Sequence, residues 1–155
     1  MNRTLLLIGL LALAACKSQA RPPSLGEALA IEQPGGSVTQ LIAQGSEIPT
    51  SATEGFTTAQ DDERRLAIHV LRGSGRTAAK LHSDGWWLVD GLEPAPAGEP
   101  RVMVTFEVDA HGTLNVSARQ DDRKLRVSRT DESARLRPAP LAEPDEFEDA
   151  EADPD

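Results

Sequence analysis

SVTQLIAQGSEIPTSATEGFTTAQDDERRLAIHVL, residues Ser37–Leu71, sets out the strand pattern that the rest of the chain repeats. Two short strand-like runs, Val38–Ile42 and Leu66–Leu71, flank a middle rich in Thr and Ser. Pro49 in Ile48-Pro49-Thr50 has a fixed φ and no N–H, so it ends a strand. Leu66, Ile68 and Val70 alternate with Ala67, His69 and Leu71, the period of a strand with two different faces.

Moving outward, the same signals recur. Glu27–Gln33 (EALAIEQ) is ambiguous, because Glu and Ala favour helix. The alternation of Leu29 and Ile31 before the turn Pro34-Gly35-Gly36 favours a strand. Glu54–Ala59 is a third candidate strand, carrying Phe56 as its large side chain. Asp84-Gly85 reads as a turn and Trp86–Val89 as a short strand after it. Arg101–Asp109 is the clearest strand, with Val102, Val104, Phe106 and Val108 on one face. Asp109-Ala110-His111-Gly112 reads as a hairpin connection to Thr113–Arg119, with glycine supplying positive φ. Lys124–Arg129 completes about eight short strands, so residues 25–130 are expected to form an all-β antiparallel sandwich. Residues 131–137 fit a short helix or turn with Thr130 or Asp131 as cap. Residues 138–155, proline-rich and then acidic, have the composition of a disordered tail.

Charge is concentrated at that end. The 155 residues carry a net charge of −9, yet Glu143–Asp155 alone holds eight acidic residues and no basic one. Without them 17 acidic groups face 16 basic ones, so the body is nearly neutral. Binding phosphates needs a basic stripe, and the lack of one argues against a nucleic-acid partner. At the other end, Arg3 precedes the apolar run Leu5–Ala15, the pattern of a secretory signal too short to span a bilayer. Leu13-Ala14-Ala15-Cys16 resembles the lipobox of bacterial lipoproteins, the alternative being a plain signal peptide with a chance cysteine. On that resemblance residues 1–15 are a signal peptide, Cys16 is the lipidation site and residues 16–24 are a tether. Exported, membrane-anchored placement in the bacterial envelope follows, with Lys17 after the cysteine favouring the outer membrane.

From Leu29 to about Gln120 the chain resembles the peptide-binding β-domain of the 70-kDa heat-shock chaperones, the DnaK-like family. The matching stretches are Ile48-Pro49-Thr50, Phe56-Thr57-Thr58-Ala59, Ile68-His69-Val70-Leu71-Arg72-Gly73, Asp90-Gly91-Leu92-Glu93-Pro94-Ala95-Pro96, Val104-Thr105-Phe106-Glu107-Val108-Asp109-Ala110 and Leu114-Asn115-Val116-Ser117-Ala118. The resemblance implies a pocket for one leucine-like side chain of an extended peptide, at Leu29, Ile31, Phe56, Leu66, Ile68 and Val102. It places Pro34 and Ala59 as an arch over the peptide. Glu63 stands where the family has a glutamine near the peptide backbone, which implies a preference for basic flanks on the ligand. The chain is expected to depart from the family in lacking both the ATPase domain and the helical lid, so no nucleotide or other cofactor is expected. The function implied is ATP-independent, weak binding of unfolded or extended peptide segments beside a membrane. The alternative is a structural or protein-interaction sandwich whose six apolar residues are simply core.

Little else suggests chemistry. No pair of histidines has metal spacing on one helix, and no phosphate loop or nucleophile motif appears, so neither catalytic nor metal-ligating residues are assigned and no enzyme is expected. His69 is expected to be a satisfied structural residue. Trp87 is assigned to the core, and Trp86 is left as the exposed member of the pair.

Overall fold

The computed structural model describes residues 22–131 and 136–142. The signal peptide, Cys16, most of the tether, residues 132–135 of the helix-or-turn segment and the acidic residues 143–155 lie outside the described residues.

Eight strands form among the described residues: β1 (Leu29–Glu32), β2 (Val38–Ile42), β3 (Thr50–Phe56), β4 (Arg65–Arg72), β5 (His82–Asp90), β6 (Val102–Val108), β7 (Leu114–Gln120) and β8 (Arg123–Thr130). The helical content there is one 3-10 turn, Ala78–Lys80. Every pairing between named strands is antiparallel, in the order β2-β1-β4-β5-β8-β7-β6-β3. The sheet folds back on itself as the expected all-β sandwich. One apolar cluster fills it, drawing Leu29 and Ile31 from β1, Leu66, Ile68 and Val70 from β4, and Phe56 and Phe106 from β3 and β6.

The alternation in β6 does what its period dictates. Val102, Val104, Phe106 and Val108 are all fully buried, while Glu107 between them is exposed. The hairpin into β7 forms as expected. Gly112 takes φ +83, its N–H donates to the Asp109 carbonyl at 3.0 Å, and the Asp109 carboxylate accepts from the N–H groups of His111 and Thr113.

Three expectations need correction. β3 runs Thr50–Phe56, starting and ending earlier than Glu54–Ala59. Its Thr and Ser residues sit on a half-exposed sheet where β-branched side chains fit, and the Thr53 hydroxyl bonds that of Thr105 across to β6 at 2.9 Å. β5 likewise starts at His82, so Asp84-Gly85 lies inside a strand. Gly85 holds φ +124 opposite Val70, where the β4–β5 register shifts, so its freedom serves a bulge instead of a turn. The tryptophans are also reversed in part: Trp86 is 5% exposed and stacks flat on His69 at 4.3 Å, while Trp87 is half-buried against the core beneath Arg129.

Candidate functional site

Two sheet edges near the middle of the sandwich are left without a strand partner. β1 pairs with β4 at Val70, Leu71 and Arg72, then turns away at Glu32. The Arg65–His69 half of β4 therefore pairs with β5 on one side only. β3 pairs with β6 along its length, and its other edge is likewise free of any named strand. Unpaired backbone groups of this kind either face water or take another chain segment.

Residues 138–142 of the chain itself take both edges. On the β4 side Ala139 N–H donates to the Ala67 carbonyl at 2.8 Å, and Pro138 forms a parallel bridge with Ala67. On the β3 side Leu141 bridges Phe56 antiparallel. There Thr57 N–H donates to the Pro140 carbonyl at 3.0 Å, and Ala142 N–H to the Gly55 carbonyl at 2.9 Å. The Gln33 side-chain oxygen, at the start of the loop after β1, accepts from Leu141 N–H at 3.3 Å. The expectation of disorder from residue 138 onward is corrected for these five residues: they are extended, and Ala139 is 6% exposed. Their proline-rich composition prevents helix, but it does not prevent an extended chain from pairing where its prolines owe no N–H.

The six residues expected to line a pocket are brought together. Leu29, Ile31, Phe56 and Val102 are fully buried, and Leu66 and Ile68 are 1% exposed. All belong to the same core cluster as Ala139, with Leu141 packed against it half-buried. The roof over this end of the core is thus partly the chain's own segment. Pro34 and Ala59, the two expected arch residues, are both exposed. Ala59 N–H donates to the Glu63 carboxylate at 3.2 Å. The loop from Thr57 to Arg64 is fastened to the loop after β5, with Ala97 N–H on the Asp61 carboxylate at 2.9 Å and Gly98 N–H on the Thr58 carbonyl at 3.0 Å. A cavity of about 580 Å³ opens beside it, lined by Ala59, Glu63, Leu66 and Asp90 and bordered by Leu136 and Arg137. Pro34, Phe56 and Ile68 do not line that cavity.

Sequence reasoning missed Gln33, Thr57 and residues 138–142. Thr57 and Thr58 are buried with hydroxyls that have no partner among the described residues, a feature polarity patterns do not reveal. His69 is satisfied as expected: its Nδ1 pairs with Glu32 at 2.5 Å and its Nε2 with the Ser83 hydroxyl at 2.8 Å. This trio ties β1, β4 and β5 together on the face away from the six apolar residues. Among the described residues no group of three His, Cys, Asp or Glu side chains is placed to hold a metal ion.

Among protein families, the one described as Hsp70 protein matches this chain over residues 25–145.

Proposed function

The chain belongs to the Hsp70 protein family, and from that premise we propose that it is a lipid-anchored, ATP-independent module that binds extended apolar peptide segments in the cell envelope. The observation that carries the reading is that the edges of β3 and β4 left unpaired by any named strand bond an extended segment, here residues 138–142, whose Ala139 belongs to the same apolar cluster as Phe56, Leu66 and Ile68. A peptide laid there is recognised by main-chain bonding, and its side chains reach the apolar cluster beneath. In this reading Leu29, Ile31 and Val102 complete the floor, Pro34 and Ala59 form an arch over the peptide, and Glu63 favours basic flanks.

Magnitudes make this a weak binder. Burying one leucine side chain contributes roughly 1.5–3 kcal/mol, and each backbone bond about 1 kcal/mol. Ordering the peptide takes back several kcal/mol. Micromolar or weaker affinity follows, and concentration on a membrane through acylated Cys16 offsets it. The competing reading, a structural or interaction sandwich with a closed pocket, is favoured by the near-complete burial of all six floor residues.

A leucine-centred heptapeptide carrying a photo-activatable leucine separates the two. Crosslinks to Thr57–Ala59 and to Ala67, unchanged by ATP, support the groove. Crosslinks elsewhere, or none, favour the closed sandwich, and release driven by ATP contradicts the nucleotide-free part.

A further inference from the structure

Pro138-Ala139-Pro140-Leu141-Ala142 bonds to the very edges a guest peptide needs. Three strap N–H groups donate, from Ala139, Leu141 and Ala142, and one strap carbonyl, that of Pro140, accepts. The two prolines fall where no strap N–H is used, so the register suits this sequence and proline costs it nothing. The deepest side chain is small, Ala139, and a larger one, Leu141, lies two residues on and only half-buried.

Resting on the groove reading above, we propose that residues 138–142 are a built-in occupant of the peptide groove, which a guest must displace. The occupant also gives the ligand class: extended segments with a small apolar residue two places before a larger one, proline being tolerated before each. Tethered to the end of β8, the strap competes from a high effective concentration. A guest binds only the fraction of molecules whose strap is out, so its apparent affinity falls by that fraction.

The test uses the full chain and its double variant Ala139→Asp/Leu141→Asp, in which two charges unseat the strap. The probes are a labelled peptide copying residues 136–142, Leu-Arg-Pro-Ala-Pro-Leu-Ala, and a labelled leucine-centred heptapeptide. The copied peptide is expected to bind the double variant about tenfold or more tighter than the unaltered chain, the factor set by a strap seated nine-tenths of the time. Where the double variant does not fold, Leu141→Ser, at the half-buried position, is measured for the same gain. Equal binding of both peptides to unaltered and unseated chains keeps the groove and overturns the strap. Binding of the copied peptide alone, to the unseated chain, upholds the strap and removes leucine-centred clients. Binding of the leucine-centred peptide without the copied one overturns the strap as ligand template. Binding of neither overturns the strap and the groove together.

Discussion

Asp109 ties the β6–β7 hairpin with one carboxylate. The backbone N–H of Thr113, and after it that of His111, hold its carboxyl below the usual carboxylate range. A group whose folded pKa is depressed contributes stability that is present above the unfolded pKa and is lost as pH falls through the folded one. Asp109→Ala is therefore expected to melt below the unaltered chain at neutral pH, and the gap should narrow as the solution is acidified past the carboxylate range. Melting curves over that range check it, and a gap that ignores pH contradicts it. At this scale much was readable in advance. Val102, Val104, Phe106 and Val108 announce a buried face because period two leaves no other arrangement for them. Trp86 was misplaced because alternation says that neighbours face opposite ways and not which way is covered. Here the outer face is covered too, by His69 stacked on the indole.

Among elements, β5 carries the clearest prediction. Gly85 sits in mid-strand at φ +124, and a Cβ there would lie 2.9 Å from Arg129 Nε. The guanidinium can move, but the backbone conformation cannot be kept cheaply by an L side chain. Gly85→Ala should thus cost about 1–3 kcal/mol, read from urea denaturation. No loss would mean that the strand needs no glycine at its bulge. Asp-Gly misleads in sequence because positive φ serves a turn and a bulge equally well. The strap was hidden for a related reason. Pro138 and Pro140 signal a break in regular structure, yet the strap is seated by the N–H groups of Ala139, Leu141 and Ala142 and the Pro140 carbonyl, bonded to Ala67, the Gln33 side chain, Gly55 and Thr57, and no local pattern pairs residues so far apart.

For the whole molecule, the proposed function joins a sandwich with a peptide groove between β3 and β4 to a membrane anchor at Cys16. Cys16→Ser is expected to abolish metabolic labelling with fatty acid and to shift the chain from the membrane to the soluble fraction. Retention on the membrane would contradict the anchor. The sandwich itself was legible from strand alternation and ordered motifs, since both follow from local chemistry. Whether its floor is open to a guest was not, because buried apolar residues look alike in a groove and in a core. The most direct measurement is amide hydrogen exchange at Thr57, whose N–H now bonds the Pro140 carbonyl. In the chain carrying Ala139→Asp/Leu141→Asp, this amide should exchange rapidly and become protected when the leucine-centred heptapeptide is added. An exchange rate unchanged by saturating peptide would contradict the groove.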